Sequence, residues 1–231
     1  MSAEARAVSV VLAAYNEAAT IGAVVAGCAA HTPGLIELIV VDDGSTDGTA
    51  ALAERAGAVV HRLPDNRGKG HAIRHGIEHA RGDILMFLDA DGQDDPAEIP
   101  ALLDALVPGV DMVVGSRFLG RFGPGAITPV NRAGNQLLTQ VVNLLFGARL
   151  TDTQAGFRCV RRSAADRCTL SAARYDIEVD LLLGVLRGGG KIVEVPVRRE
   201  ARLHGESQLG SVRDGTRILL RILRRRFAAR V

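Results

Sequence analysis

The chain has 231 residues, 47% hydrophobic and 23% charged, with a formal charge of +2 and three cysteines. A hydrophobic share near half excludes a disordered chain, and no apolar run approaches the roughly 20 residues that a spanning helix needs, which excludes an integral membrane protein. Trp is absent and aromatics make up 3%, so the stacking platforms of single-stranded nucleic-acid binders are missing and no nucleic-acid partner is expected.

Length favours one domain over residues 1–231, by the soft measure of about 150 residues per domain. The first residues carry Glu4 and lead straight into a short apolar run, which does not fit a signal peptide. Cys28, Cys159 and Cys168 form no C-x-x-C pair, so reduced thiols and a cytoplasmic location are expected. The near-zero charge hides an asymmetry. From Arg198 onward ten arginines face three acids, Glu200, Glu206 and Asp214, and a basic tail on an acidic body points to an anionic surface or ligand near the C-terminus.

In chain order, residues 8–14, 35–41, 58–62, 83–88 and 110–115 read as short buried strands. Helical periodicity fills the gaps at 17–30, with Asn16 as its cap, at 47–56, at 69–80 and at 96–106, which opens on Pro96. Alternation of this kind predicts a mostly parallel sheet flanked by helices, with chemistry beyond the carboxyl ends of the strands. Residues 117–130 hold three glycines and two prolines and read as a long loop. A largely apolar helix at 136–146, a strand at 155–161, a helix at 177–187, a strand at 191–197 and a final helix at 212–229 complete the prediction.

The strand ends carry the informative residues. After the first strand, Ala14-Tyr15-Asn16-Glu17 lacks the G-x-G-x-x-G of a dinucleotide site. Tyr15 suits stacking on a base or ribose and equally an ordinary surface ring; Glu17 suits ribose hydroxyls or the helix dipole. After the second strand, Asp42-Asp43-Gly44-Ser45 doubles an acid at the end of a buried run, which is costly unless something binds it; Asp42 is the preferred acceptor for a base or ribose donor. Asn66-Arg67-Gly68-Lys69-Gly70 places cations among glycines ahead of a helix, which suits either an anion or a solvated turn. The sharpest signal is Asp89-Ala90-Asp91 at the end of the fourth strand. Paired hard oxygen ligands there suit Mg²⁺ or Mn²⁺. Arg117, after the fifth strand, is a candidate phosphate contact.

Together, Tyr15-Asn16-Glu17, Asp42-Asp43-Gly44-Ser45, Asp89-Ala90-Asp91 with Gln93, and Gly115-Ser116-Arg117 stand in the order found in family 2 glycosyltransferases. Asp152-x-Gln154-Ala155-Gly156-Phe157-Arg158, the Glu178 region and Arg202-x-His204-Gly205-Glu206-Ser207 extend the match over residues 7–212. The chain resembles that family, and more narrowly its dolichyl- or polyprenyl-phosphate mannose synthases and their bacterial relatives. The resemblance implies an α/β fold of the GT-A nucleotide-diphospho-sugar transferase type, with a nucleotide-sugar half at 7–116, an acceptor half at 117–211 and a basic C-terminal helix at 212–231.

It further implies that Ala13, Tyr15, Glu17, Val40 and Asp42 line the nucleoside pocket. Asp89, Asp91 and Gln93 hold Mg²⁺ or Mn²⁺ on the diphosphate, beside Ala90, while Arg117 and Arg202 meet phosphates or the acceptor. Asp91, Arg117 and Arg202 are thus the expected catalytic set, and Gln208 the last donor-site residue. Two positions depart from the family pattern: Ala13 replaces a proline, and Gln208 a lysine of the phosphate clamp. The implied reaction is an inverting transfer from a GDP- or UDP-linked sugar to a polyprenyl phosphate. A phosphate acceptor is already anionic at neutral pH and needs no general base, so Glu178 reads better as the partner of an arginine than as a base. Arg213, Arg217, Arg221 and Arg224, with Leu219, Ile222, Leu223 and Phe227, form a basic amphipathic helix that suits the inner membrane surface or plain packing. Two rivals stand beside this reading: a soluble transferase acting on a small-molecule or carrier-bound acceptor, and a non-catalytic nucleotide-sugar binder.

Overall fold

The structure, a computed structural model, describes residues 6–202 and 211–227. Seven strands form one sheet in the order β3-β2-β1-β4-β6-β5-β7. They are β1 (Val8–Ala14), β2 (Leu35–Asp42), β3 (Val59–Arg62), β4 (Ile84–Asp89), β5 (Met112–Phe122), β6 (Arg158–Arg161) and β7 (Ile192–Arg199). Only β6 runs against its neighbours, inserted between β4 and β5. The helices are α1 (Ile21–His31), α2 (Thr49–Arg55), α3 (Lys69–His79), α4 (Ile99–Ala105), α5 (Pro129–Phe146), α6 (Arg162–Ala165), α7 (Ile177–Arg187) and α8 (Ser211–Phe227).

The alternation of the central strands explains the layers. In β1 and β4, Val8, Val10, Leu12, Ile84, Met86 and Leu88 pack on one face with Ile21, Val25 and Leu102 of α1 and α4. Val11, Leu85 and Phe87 point the other way, into a core shared with Ile73 of α3, Val142 of α5, Leu182 of α7 and Ile222 of α8. Because both faces are covered, these strands are continuously apolar, as parallel strands in α/β proteins are.

Three local expectations change. The strand predicted at 110–115 runs on to Phe122 through the predicted loop, with Arg121 and Phe122 paired to Arg198 and Arg199 of β7. Arg117 is therefore a strand residue rather than the start of a loop. The helix predicted from residue 136 begins at Pro129, where Thr128 accepts from the Asn131 amide at 3.2 Å and Pro occupies the first turn. Asn16 does not cap α1: it adopts φ +55°, its carboxamide oxygen accepts from the Thr46 amide at 2.9 Å, and its own amide donates to Ser45 Oγ at 2.9 Å. Asn16 thus splices the β1 and β2 loops together, and α1 starts at Ile21 after Thr20.

Candidate active site

One cleft of about 420 Å³ opens at the carboxyl ends of β1, β2 and β4, within the size range of small-molecule sites. The ends of β1 and β4 supply Ala13, Tyr15, Glu17, Asp89, Ala90, Asp91 and Gln93 to its wall; α3 supplies Lys69, β5 Arg117 and α7 Glu178. Arg199 and Arg202 close it from the end of β7, and Asn135 of α5 and Ile218 of α8 line its far side.

At its floor lies a connected network of five carboxylates and three cations. Lys69 pairs with Asp89 and, at 2.5 Å, with Glu178. Arg199 reaches Asp94 at 2.7 Å, Asp89 at 3.2 Å and Asp91 at 3.7 Å. Arg202 bridges Glu17 at 3.0 Å and Asp91 at 3.2 Å. Formal charges within this network leave two negative charges in surplus.

The titration of its members follows from that imbalance. Burial alone would raise the Asp89 carboxyl, but Lys69 and Arg199 outweigh it and hold Asp89 well below the usual carboxylate range. Burial would likewise lower the Lys69 ammonium, yet Asp89 and Glu178 raise it above its ordinary value, so it stays charged. Glu17 and Asp94 go the other way: burial raises both, the opposing arginines compensate only in part, and the neighbouring acids add to the rise. Asp94 Oδ2 and Glu178 Oε2 are buried without a hydrogen-bond partner.

A divalent cation fits this donor set. Hard carboxylate oxygens at Asp89 and Asp91, a surplus of two negative charges and orphaned acceptor atoms nearby are what Mg²⁺ or Mn²⁺ chemistry asks for. Gly156 keeps the approach open, since a Cβ there would sit 2.9 Å from Asp89 Oδ1. Gln93 stands differently from its expected place in the ligand set. Its carboxamide oxygen accepts from Arg199 at 2.9 Å and its nitrogen donates to the Glu200 carbonyl at 2.8 Å, so it braces Arg199.

Other expected residues also sit in distinct places. Arg117 lines the cleft but is clamped side-on to Asp152, with Nε and Nη2 at 2.6 and 2.8 Å from the two carboxylate oxygens. Val40 is fully buried among the core residues beside α1, and Asp42 is fully buried beneath the cleft rather than on its wall. Asp42 Oδ1 accepts from the Ser45 amide at 2.9 Å; Oδ2 has no hydrogen-bond partner and lies 3.6 Å from Arg62 Nε. Of the doubled acid it is Asp43 that lines the cleft, and it takes the amides of Arg67 and Gly68 at 2.9 and 2.7 Å. The glycine-flanked amides therefore bind an anion of this chain itself, with Gly68 at φ +98° making the turn. Gln208 and the His204–Ser207 motif lie outside the described residues.

Sequence reasoning passed over Arg199, Asp94 and Tyr175. Arg199 had a signal in the period-2 pattern of β7, where it shares the buried face with Val197. Lys69 was noticed, but its partners Asp89 and Glu178 lie 20 and 109 residues away in the chain, beyond any local pattern.

Comparison with known proteins gives a consistent result. The family model described as glycosyl transferase family 2 matches residues 9–169. Glycosyltransferase AglJ of Haloferax volcanii is 34% identical over 95% of this chain and 72% of its own length. Polyprenol monophosphomannose synthase of Mycolicibacterium smegmatis is 32% identical over 87% of this chain and 80% of its own. Among solved structures, glucosyl-3-phosphoglycerate synthase of Mycobacterium tuberculosis, in complex with Mn²⁺, UDP-glucose and phosphoglyceric acid, superposes with a TM-score of 0.78 at 26% identity. It covers 97% of this chain and 81% of that one.

Proposed function

This chain belongs to glycosyl transferase family 2, and from that premise we propose that it moves a sugar, with inversion, from a nucleotide-diphosphate sugar to a polyprenyl phosphate. The observation that carries the reading is a cleft with an over-acidic floor and a far wall made by α5 and α8. Asp89 and Asp91 hold Mg²⁺ or Mn²⁺, which supplies Lewis-acid neutralisation of the diphosphate. Lys69, Arg117, Arg199 and Arg202 present cations to the same space and stabilise the negative charge that develops on the leaving group. Tyr15 and Glu17 border the space for the nucleoside, whereas Asp42, expected there, is fully buried with its Oδ2 3.6 Å from Arg62 Nε.

The acceptor side supports a lipid phosphate. Val130, Leu137 and Leu144 recur every seven residues on α5 and are 68%, 62% and 84% exposed. On α8, Leu220, Leu223 and Phe227 form a second exposed apolar stripe, with Arg213, Arg224 and Arg226 exposed around it. Apolar stripes flanked by cations suit the interface of an anionic membrane. Not all of the tail's arginines belong to that surface. Arg221 pairs with Asp176 at 2.8 Å and Arg225 with Asp180 at 2.6 Å, which docks α8 onto α7. Among the described residues no helix is long and apolar enough to cross a membrane; the exposed stripes of α5 and α8 support a peripheral contact at the inner surface. Glu178 is held by Lys69 rather than by the expected arginine, and an anionic acceptor requires no base from it.

A second reading takes its acceptor from the solved neighbour, whose phosphoglyceric acid is a water-soluble phosphorylated acid. The test is a panel of GDP- and UDP-linked sugars with Mn²⁺ or Mg²⁺, scored for transfer to a polyprenyl phosphate and to 3-phosphoglycerate. Transfer to the lipid phosphate supports the first reading; transfer only to the soluble acid replaces it with the second; donor binding without transfer to either refutes both.

A further inference from the structure

Away from the cleft, three of the chain's six histidines converge between the sheet edge and α3. His61 belongs to β3, the outermost strand. His75 and His79 stand four residues apart on α3, a spacing that brings two imidazoles onto one helix face and that helical zinc motifs use. One ring nitrogen from each of the three lies within 4.8 Å of the others. None of the three lines the cleft.

The hydrogen bonding prepares these rings as ligands. His79 Nδ1 lies 2.8 Å from the His75 carbonyl oxygen. A carbonyl only accepts, so Nδ1 carries the proton and Nε2 keeps its lone pair. A backbone carbonyl fixing the tautomer in this way is the usual outer-sphere arrangement of a metal-bound histidine. His61 Nδ1 and His75 Nε2 face each other at 3.0 Å, sharing one proton where two lone pairs converge. The His75 and His79 rings stack at 4.2 Å between centroids, and His61 meets both edge-on at 5.1 and 4.6 Å. Burial and the neighbouring imidazoles lower the pKa of His61 and His75, which favours the neutral, ligating form.

We propose that His61, His75 and His79 form a second metal site, selective for a borderline transition ion such as Zn²⁺, that ties the edge strand β3 to α3. Three imidazoles and a water complete the four-coordinate set that Zn²⁺ accepts, whereas Mg²⁺ and Mn²⁺ prefer oxygen donors such as Asp89 and Asp91. The two sites therefore divide metals by ligand chemistry. Binding moves the proton shared by His61 and His75 to the other nitrogen of the ring that carries it, so that both lone pairs face the ion; in acid, protons compete for those lone pairs and the affinity falls.

The experiment is a calorimetric titration of the metal-stripped, untagged full chain with Zn²⁺ at pH 7.5, in millimolar Mg²⁺ to occupy the acidic site. The expected result is one saturable equivalent and a rise in melting temperature on saturation. His75→Asn and His79→Gln each weaken it by at least about 100-fold, the upper end of what losing a mere outer-sphere partner costs. Co²⁺ in place of Zn²⁺ gives the intense visible bands of a tetrahedral ion, absent in both variants. Neither variant changes Mg²⁺-dependent donor binding, which also shows that both fold. Absence of saturable Zn²⁺ binding, or binding of unchanged affinity in both variants, overturns the proposal and leaves the reading of the cleft untouched.

Discussion

The floor of the cleft and its far wall are built on opposite principles. On the floor, Asp89, Asp91, Asp94, Glu17 and Glu178 are wired to Lys69, Arg199 and Arg202 in a half-buried lattice of charges. The helices that make the far wall, α5 and α8, expose leucines on outer faces that do not line the cleft, and the ion pairs lie behind α8, at Asp176 and Asp180. Under the proposed function, the polar region meets the charged end of a donor and the apolar region an acceptor that brings its own lipid. The contrast predicts that damage to the two regions separates: floor variants lose stability and donor affinity together, wall variants lose only acceptor use.

The largest stability effect is expected at Lys69. Lys69→Met leaves Asp89 and Glu178 side by side without their cation, and breaking such a pair costs about 3 kcal/mol, the lower end of the range for buried pairs because the Lys69 side chain is 18% exposed. Urea unfolding measures it; a loss under about 1 kcal/mol would mean that the lattice is not what holds the floor. On the wall, Leu137→Glu with Leu144→Glu should change stability by no more than about 0.5 kcal/mol per site, since both side chains are exposed. The same double variant should lose binding to anionic vesicles and transfer to polyprenyl phosphate, with donor affinity unchanged. Equal loss of donor affinity would erase the distinction between the regions.

The floor is legible in the sequence only where its residues sit at strand ends. Asp89 and Asp91 follow an uninterrupted apolar run, and their place at the sheet's carboxyl edge follows from the alternation of strands and helices. Arg199 is different: it enters the cleft because β7 pairs with the far end of a β5 that continues to Phe122, and the glycines of that stretch disguise a strand as a loop. β6 falls within the strand expected at 155–161, but nothing local says that it will insert antiparallel between β4 and β5. On the wall, the basic stripe of α8 was visible, but its division was not. Asp176 and Asp180, on the preceding helical segment, decide which arginines turn inward.

Acid should act on the floor before it acts on the fold. Glu17 and Asp94 have raised pKa values, so as pH falls below neutral they take up protons first, and each proton removes part of the negative surplus that attracts a divalent ion. Asp89 is lowered, so its contribution to stability is fully present above the unfolded-state value of about 3.9 and is lost only as pH falls through its lower folded value. Apparent Mn²⁺ affinity should therefore begin to decline at a pH above the ordinary carboxylate values of about 4, while the far-ultraviolet spectrum stays constant. A flat profile would show that Glu17 and Asp94 do not contribute to the ion's field. The smallest effect concerns the thiols. Burial pushes Cys28 and Cys159 up to about 12, so at pH 8 a thiol reagent should modify at most Cys168 until the chain is unfolded.

The central claim is that Asp91, with Asp89, holds the ion that anchors a nucleotide sugar. Its most direct test is calorimetric binding of UDP- or GDP-linked sugar, with and without Mn²⁺, to the native chain and to Asp91→Ala. The account predicts Mn²⁺-dependent binding to the native chain, and in the folded variant no gain from Mn²⁺. Donor affinity that is the same in both proteins, and equally responsive to Mn²⁺, would contradict it.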